Sequence, residues 1–340
     1  MPYTTIAQAL RETLREQMLR DPRVFVLGED VGRFGGAYRV TEGLYEEFGP
    51  ERVRDTAISE AAIAGMTLGA ALTGLRPVAE FQFVDFMTNA MDQICNHMAK
   101  FRLMSGGKVA VPVVMRAPFG ATGRAAQHSQ SLEGWFAHTP GLKVAMPSTP
   151  YDARGLLRSA LRDLNPVLIL EHKLLYGSAS PGGKAVSAVD KFASWMTPAP
   201  EEDYEVPFGV ACVRRAGTDL TIVATSFMVH RCLKIAEELE QKRGVAIEVV
   251  DPRTVMPLDI ETICQSVAKT GRCLVVAEEC GFAGVSAEIA AQVSERAFDH
   301  LDAPVTRVNA LHTPIPFNYG CEAYVLPSEE RIRQAALALL

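Results

Sequence analysis

The sequence predicts an α/β protein made of two doubly wound, three-layer domains. Short runs rich in β-branched residues alternate with longer helical patterns along the whole chain, which is typical of parallel sheets joined by crossover helices. The length of 340 residues exceeds what one compact core usually organises. A stretch rich in Gly, Pro, Ser and acidic residues, 177–207, separates two sets of such runs. We therefore expect a first domain over residues 1–190, a linker over 191–207 and a second domain over 208–340.

The first set of runs predicts six strands joined by helices whose apolar residues recur three and four positions apart. The strands are expected at Val24–Leu27, Val53–Asp55, Pro77–Phe81, Val111–Arg116, Val144–Met146 and Val167–Leu170. The helices are expected at Ile6–Leu19, Ala61–Leu72, Met87–Phe101 and Asp152–Arg162.

The second set repeats this alternation after the linker. Its strands are expected at Leu220–Ala224, Ile247–Val250, Leu274–Ala277 and Val305–Val308, and its helices at Val229–Lys242, Ile260–Lys269, Val285–Phe298 and Ser328–Leu340. Ser328 is predicted to cap the last helix, and the acidic residues that follow it suit the positive end of a helix.

Composition excludes several classes of protein. Hydrophobic residues at 48% and charged residues at 22% are ordinary globular values, which excludes a disordered or fibrous chain. The net charge of −6 lacks the basic footprint of proteins that bind nucleic acid or an anionic membrane surface. No stretch approaches about 18 uninterrupted apolar residues, and the N-terminus lacks an apolar signal core, so we expect a cytoplasmic protein. The seven cysteines include no C-x-x-C pair and are expected to be reduced and mostly buried.

Polar residues just after predicted strands are the candidate site, because ligands of open parallel sheets bind beyond the carboxyl ends of the strands. Glu29 follows the first strand, Gln82 follows the third, and Glu60 opens the helix after the second. His128 lies in a polar, Gly-rich loop. Position alone leaves a structural role open for both Glu60 and His128, since an acid in the first turn complements the helix dipole in any protein. No helix-opening G-x-G-x-x-G follows a strand, which argues against a dinucleotide site.

Many segments of the chain resemble, in the same order, the β subunit of thiamine-diphosphate-dependent 2-oxoacid dehydrogenases. The most similar members are those of the pyruvate, branched-chain 2-oxoacid and acetoin dehydrogenase complexes. The matching segments are Leu27–Gly36, Asp55–Glu60, Gly74–Glu80, Met91–Lys100, Gln127–Glu133, Pro140–Asp152, Glu171–Gly177, Val249–Leu258 and Lys269–Arg272.

The resemblance implies a pyrimidine-binding domain followed by a transketolase C-terminal-like domain. In this family the β subunit holds the aminopyrimidine of thiamine diphosphate, and an α subunit holds the diphosphate through Mg²⁺. The metal signature of the α subunit, Gly-Asp-Gly, does not occur in this chain. The resemblance therefore implies an α₂β₂ heterotetramer that decarboxylates a 2-oxoacid and passes the acyl group to the lipoyl acyltransferase component of a complex.

The resemblance also implies roles for individual residues. Glu60 matches the carboxylate beside ring nitrogen N1′, which a dry pocket keeps able to share a proton near neutral pH. His128 matches the histidine that faces the reacting carbon and acts as acid or base during acyl transfer. The remaining cofactor-binding positions are Glu29, Ile58, Gln82 and Phe86.

Two further features follow from the resemblance. Family members can hold a structural K⁺ in the loop that matches Ala160, Asp163 and Asn165. The chain departs from the family at Ala57, where Pro is usual, so the turn before Glu60 loses a restrained φ angle.

Two alternatives to the decarboxylating enzyme stay open. Acetoin cleavage on the same scaffold is one, because Gln127–Glu133 together with Glu171–Tyr176 resembles that branch at least as well. A non-catalytic assembly module that dimerises and docks an acyltransferase core is the other.

Overall fold

The computed structural model describes residues 3–177, 197–198 and 203–340, which fall into two compact units. The first unit comprises residues 1–119 and 136–208, and the second comprises 120–135 and 209–340. Residues 120–135 thus group with the second unit although they precede the last strands of the first. The predicted linker, 191–207, lies for the most part outside the described residues, and the predicted domain boundaries stay a prediction.

Parallel strands and crossover helices build the first unit. Its elements are β1 (Tyr3–Thr4), α1 (Ile6–Arg20), β2 (Val24–Gly28), α2 (Leu44–Phe48), β3 (Val53–Asp55), α3 (Glu60–Leu72), β4 (Arg76–Glu80), a 3₁₀ helix (Val84–Ala90), a π-helix (Asp92–Met98), α4 (Ala99–Met104), β5 (Val114–Phe119), α5 (Glu133–Ala137), which starts in the 120–135 segment, β6 (Lys143–Ala145), α6 (Pro150–Arg162), β7 (Val167–His172), a 3₁₀ turn (Lys173–Leu175) and β8 (Thr197–Pro198).

Six of these strands form one parallel sheet in the order β6-β7-β5-β4-β2-β3. Strands β2, β5 and β7 are wholly buried and rich in apolar residues, as expected for the interior of a sheet covered on both faces, whereas the edge strand β3 is mostly exposed. The strand order reverses between β2 and β4, because β3 lies on one side of β2 and all later strands lie on the other. Such a reversal opens a crevice at the carboxyl ends of the two strands.

The six predicted strands of this unit are confirmed, and the single helix predicted over Met87–Phe101 is wrong. The structure instead places a 3₁₀ helix, a π-helix and α4 in succession there. The hydroxyl of Thr88 donates to the carbonyl of Asp85 at 2.8 Å, a contact three residues back that fits the tighter 3₁₀ turn. Apolar periodicity does not distinguish these helix types, because they differ by less than one residue per turn around 3.6.

The second unit also has a central parallel sheet. Its elements are β9 (Cys212–Arg215), β10 (Leu220–Ala224), α7 (Phe227–Arg243), β11 (Ile247–Asp251), β12 (Thr254–Met256), α8 (Ile260–Thr270), β13 (Cys273–Cys280), α9 (Val285–Arg296), a 3₁₀ turn (Phe298–His300), β14 (Thr306–Ala310), α10 (Tyr319–Val325) and α11 (Glu329–Leu339).

Its strands run in the order β14-β13-β10-β11-β9, and only β9 is antiparallel to its neighbour. All four predicted strands and all four predicted helices of this half are confirmed. Strand β9 escaped prediction because it is a short, half-exposed edge strand with two arginines and no apolar run. The order reverses between β10 and β13, which places a second crevice at the carboxyl end of β13.

Three smaller predictions have clear outcomes. The Ser328 cap is confirmed, since its hydroxyl accepts a hydrogen bond from the Arg331 amide at 3.1 Å. The seven cysteines are free, but the expectation that most are buried is wrong, because only Cys232 and Cys273 are. Among the described residues, no helix combines the length and the apolar character that crossing a bilayer requires.

Candidate functional site

The crevice between β2 and β4 holds two of the predicted site residues. Glu29 follows β2 and Gln82 lies just beyond β4, where the Gln82 amide donates to the Glu29 carbonyl at 3.3 Å. Gly28 ends β2, and a Cβ there would lie 2.3 Å from the Glu80 carbonyl oxygen. Only glycine permits this close approach of the two strands. The sheet edge thus brings Glu29 and Gln82 together as the sequence predicts.

Glu60 is the first residue of α3 and is buried, with 8% of its surface exposed. The preceding residue, Ser59, makes no side-chain cap, so the positive end of the helix is left to the Glu60 carboxylate. Within the described part of the chain, this carboxylate accepts one hydrogen bond, from the Asn89 amide to Oε2 at 3.3 Å. Its other oxygen is available to a donor from a bound group.

Glu29 and Glu60 lie close enough for their charges to interact. Partial burial, and then the carboxylates of Glu60 and Asp30, raise the pKa of Glu29 above its ordinary value. A carboxyl group that keeps its proton above the usual range can share that proton with a neighbouring acceptor near neutral pH. The crevice therefore combines two neighbouring carboxyl groups, and the pKa of one of them, Glu29, is raised.

Aromatic side chains border these acids. The rings of Phe83 and Phe86 pack edge to face with centroids 5.6 Å apart, and Tyr38 lies 6.5 Å from Phe83 in the same geometry. Phe86 is half-buried, so part of its ring is available to an apolar ligand. Ile58, predicted to line the same pocket, is 83% exposed in this chain.

A buried ionic cluster supports the edge of the sheet behind these residues. Arg116 on β5 donates two hydrogen bonds to Glu171 on β7, at 2.6 and 2.7 Å, and one to Glu80 on β4 at 2.7 Å. The Tyr176 hydroxyl donates to Glu171 at 2.6 Å. One guanidinium faces two carboxylates, and burial combined with this excess of negative charge raises the pKa of Glu80. We call Glu80, Arg116, Glu171 and Tyr176 the arginine cluster.

His128 belongs to the second unit, in residues 120–135, which we call the histidine segment. The Ala121 amide donates to Glu278 Oε1 at 2.7 Å, and the Gly123 amide donates to both oxygens of Glu322, at 2.8 and 3.0 Å. His128 itself is half-buried. Two glutamates from distant parts of the chain therefore anchor the start of the segment that carries this histidine.

A cavity of about 460 Å³ adjoins the histidine segment at the carboxyl ends of β13 and β14. The buried hydroxyls of Ser129 and Ser131 have no hydrogen-bond partner among the described residues. The polar residues that line the cavity are Gln127, Ser129, Gln130, Ser131, Glu278, Glu279, His312 and Thr313. Unsatisfied buried hydroxyls beside a cavity are suited to binding a ligand or ordered water.

The loop predicted to hold K⁺ has other partners for its oxygens. Lys143 forms an ion pair with the Asp163 carboxylate, and the Asn165 amides donate to the same group at 2.8 and 2.9 Å. Arg102 donates to the Asn165 side-chain oxygen at 3.0 Å, and Arg76 donates to the Leu161 carbonyl at 2.7 Å. Burial alone would raise the pKa of Asp163, but these donors hold it below its ordinary value. Three cationic side chains already surround this loop, so its residues do not fit an added cation.

The first unit brings together Glu29, Glu60 and Gln82, which the sequence predicts as site residues. The sequence did not predict Asn89, which donates to Glu60, or Tyr38, which packs against Phe83. Asn89 is three residues after Phe86, a spacing that places both on one side of a 3₁₀ helix. The helix predicted over Met87–Phe101 begins after Phe86, so it did not relate Phe86 to Asn89.

Comparisons with known proteins agree with this architecture. The family described as transketolase, pyrimidine binding domain, matches residues 3–178, and the family described as transketolase, C-terminal domain, matches residues 209–332. A solved structure titled split gene transketolase, inactive beta4 tetramer, superposes with a TM-score of 0.77 at 22% identity, covering 100% of this chain and 99% of that one. At that identity the likeness bears on the fold alone, and the predicted fold class is confirmed.

Curated relatives are similar over the full length. Pyruvate dehydrogenase E1 component subunit beta of Bacillus subtilis (strain 168) is 46% identical over 341 residues, covering 100% of this chain and 99% of the relative. The 2-oxoisovalerate dehydrogenase subunit beta of the same organism is 44% identical over 337 residues, with 98% of each chain covered. The resemblance inferred from the sequence motifs is confirmed by these matches.

Proposed function

Because the chain belongs to the family of E1 beta subunits of 2-oxoacid dehydrogenases, we propose that it provides the aminopyrimidine side of a thiamine diphosphate site shared with an α subunit. The assembled enzyme decarboxylates a 2-oxoacid, of the pyruvate or branched-chain type, and transfers the acyl group to a lipoyl arm. The observation that carries this proposal is the buried Glu60 carboxylate at the start of α3, beside Glu29 and Gln82.

The residues of the first crevice fit the aminopyrimidine end of the cofactor. Glu60 has a carboxylate oxygen available to the ring and lies in the first turn of α3. Phe86 presents part of an aromatic ring to a flat heterocycle, and Gln82 is already oriented by the Glu29 carbonyl. When bound, thiamine diphosphate supplies a nucleophilic ring carbon and an amino group that helps to activate it. Glu60 then holds the proton at the ring nitrogen, and burial keeps water from competing for it.

His128 is the proposed acid–base group for acyl transfer. It is half-buried in a polar segment whose start is anchored by Glu278 and Glu322. Half-burial leaves part of the imidazole accessible. An imidazole ring has one nitrogen that can donate a proton and one that can accept it, so it can serve as acid and base in successive steps.

The partners of this chain follow from what it lacks. The sequence has no Gly-Asp-Gly, and no cluster of three acidic, His or Cys side chains among the described residues is arranged to hold a metal. We propose that an α subunit supplies the Mg²⁺ and diphosphate side, in an α₂β₂ heterotetramer that docks on a lipoyl acyltransferase component. Potassium is left out of this proposal, because it would have to displace Arg76 and Lys143 from the loop at residues 160–165.

The first test is isothermal titration of thiamine diphosphate with Mg²⁺ into this chain alone and into the chain co-expressed with a Gly-Asp-Gly partner. We expect binding to the pair only. Tight Mg²⁺-dependent binding to the single chain would contradict the shared site. Turnover of pyruvate, branched-chain 2-oxoacids and acetoin by the pair then identifies the substrate, and acetoin cleavage without decarboxylation would favour the alternative enzyme.

Glu60→Gln separates the catalytic proposal from a purely structural one. The amide keeps the size of the side chain but cannot hold the proton in the same way, so we expect turnover to fall by about 10²- to 10⁴-fold while the complex still assembles. Glu51→Gln, an exposed glutamate on the same unit, is the matched control and should leave turnover unchanged. Full turnover in Glu60→Gln would support the assembly-module alternative.

A further inference from the structure

Four aromatic rings lie in contact from the arginine cluster to the first crevice. Tyr176 stacks on Tyr38, with ring centroids 4.5 Å apart and ring planes at 17°. Tyr38 packs edge to face on Phe83 at 6.5 Å, and Phe83 packs in the same way on Phe86 at 5.6 Å. All three distances fall in the range of about 4.5–7 Å that favours ring contacts. We call these four rings the aromatic chain.

The Tyr176 end of the aromatic chain is fixed by hydrogen bonds. Tyr176 is 2% exposed, and its hydroxyl donates to Glu171 at 2.6 Å. Arg116 donates to both oxygens of the same carboxylate, at 2.6 and 2.7 Å. A buried ring in such a network cannot shift without breaking these bonds. Tyr176 therefore offers Tyr38 a fixed surface for stacking.

The backbone beside Tyr38 also packs on the arginine cluster. Gly36 has a φ of +79°, and a Cβ there would lie 2.7 Å from Glu80 Oε1. Only glycine permits this close approach of the loop that follows β2. The Thr41 hydroxyl donates to the Val31 carbonyl at 2.7 Å and closes the same loop. The loop thus holds Tyr38 between two other rings of the aromatic chain.

Phe83 connects Tyr38 to the crevice. It is 9% exposed, and the Lys173 ammonium lies over its ring, 5.0 Å from the centroid. Lys173 is also buried, at 6% exposed, and a cation–π contact is stronger where water is excluded. With a cation over its face and Tyr38 in edge-to-face contact, the Phe83 ring has a defined orientation.

Phe86 needs such a neighbour because it is only half-buried. It lies in the 3₁₀ helix Val84–Ala90, which also carries Asn89, the donor to Glu60. A partly exposed side chain can adopt several rotamers unless its neighbours restrict it. Contact with Phe83 restricts the Phe86 ring, while the exposed part of that ring stays available to a flat ligand.

We propose that Tyr38 is a positioning residue for the cofactor: through Phe83 it holds the Phe86 ring, before any ligand binds, in the orientation that receives the aminopyrimidine. This inference rests on the proposed function, since it takes Phe86 as the ring that contacts thiamine diphosphate. A ligand that needs one orientation of a side chain binds more weakly when only a fraction of the molecules have it. Loss of the Tyr38 ring should therefore weaken binding and leave the chemical step unchanged.

The test is isothermal titration of thiamine diphosphate with Mg²⁺ into the full chain assembled with its α partner. Tyr38→Leu removes the ring but keeps an apolar side chain. We expect its Kd to be about three- to tenfold higher than that of wild type, the fold-change that one aromatic contact supports. At saturating cofactor, kcat should stay at the wild-type value, because the bound cofactor itself orders the Phe86 ring. Tyr38→Phe keeps the ring and should bind as wild type does.

Two further variants separate positioning from a general loss of stability. Tyr45→Leu is the matched control, because Tyr45 is a half-buried tyrosine of α2 in the same unit and lies outside the aromatic chain. Its affinity for the cofactor should equal that of wild type. Phe83→Leu interrupts the aromatic chain one ring closer to Phe86 and should weaken binding at least as much as Tyr38→Leu. Sedimentation of each variant with the α subunit checks that the heterotetramer has formed.

Three results would overturn the positioning role. The first is wild-type affinity in Tyr38→Leu, and the second is an equal loss of affinity in Tyr45→Leu. The third is failure of both Tyr38→Leu and Phe83→Leu to fold and assemble, which would make the aromatic chain structural only. A wild-type pair that binds no thiamine diphosphate would refute the proposed function, and the positioning role with it, before any variant is compared.

Discussion

The molecule buries carboxyl groups at two sheet edges and gives them different surroundings. In the arginine cluster, Arg116 is 1% exposed and pairs with Glu80 and Glu171 at 2.6 to 2.7 Å. In the second region, Glu133 at the start of α5 and Glu279 at the end of β13 have no such cation within hydrogen-bond reach among the described residues. A buried carboxylate needs a positive charge or a proton. Arg116 supplies the charge in the first region, where Glu80 is the carboxyl group with a raised pKa, whereas burial raises the pKa values of both Glu133 and Glu279 in the second region.

Removing the guanidinium of Arg116 should have the largest effect on stability. Arg116→Met leaves Glu80 and Glu171 buried without a cation, which should lower the free energy of unfolding by about 3–5 kcal/mol. Urea denaturation of the purified chain measures this loss at pH 7. A loss below about 1 kcal/mol would mean that the carboxylates take up protons instead.

A smaller change removes only one donor from the same cluster. The Tyr176 hydroxyl bonds to Glu171 at 2.6 Å, and burial with the nearby carboxylates raises its pKa, so it stays a donor at all working pH values. Tyr176→Phe keeps the stacking with Tyr38, whose ring centroid lies 4.5 Å away. We expect a loss of about 1.5–3 kcal/mol in urea, as for a hydrogen bond to a charged group. An unaffected midpoint would show that Arg116 alone satisfies Glu171.

The arginine cluster has one guanidinium for two carboxyl groups, and Glu80 is the one that receives a single hydrogen bond from it. Glu80 should therefore make the stability of this cluster depend on pH. Its raised pKa means that its contribution to stability is present below the ordinary value near 4.5 and declines as the pH rises through the folded value. Glu80→Gln should therefore flatten the stability profile above pH 4.5 at a cost of about 1 kcal/mol or less. Thermal unfolding from pH 4 to pH 8 checks this slope, and an identical slope in both chains would assign it to other groups.

An exposed ion pair should make the smallest contribution to the free energy of unfolding. Arg54 and Glu51 lie 2.5 Å apart, with 52% and 83% of their side chains exposed. Arg54→Met should change the free energy of unfolding by less than about 1 kcal/mol, because water screens the pair. Urea denaturation measures this change. Adding about 0.5 M NaCl should abolish the difference in the free energy of unfolding between wild type and Arg54→Met, because salt screens exposed charges. A larger, salt-resistant loss would point to packing by the arginine stem.

Much of the fold is readable in the sequence because its signals are local. Runs of β-branched residues predicted the ten strands that form most of the two sheets, and Ser328 predicted a cap that the structure contains. The positions of Glu29, Glu60 and Gln82 just beyond strand ends predicted their shared crevice, since carboxyl ends of parallel strands meet at one edge.

Other features depend on partners far apart in the chain, which no local pattern encodes. Arg116 lies 36 residues from Glu80 and 55 from Glu171, and their pairing follows from the strand order β7-β5-β4. Likewise, only the tertiary structure groups residues 120–135 with the second unit. The sequence by itself determined ten of the strands and most of the helices, and it placed Glu29 and Gln82 after strands and Glu60 at the start of a helix. The tertiary structure decided which buried acids face an arginine and which do not, because that depends on which side chains the folded sheets bring into contact.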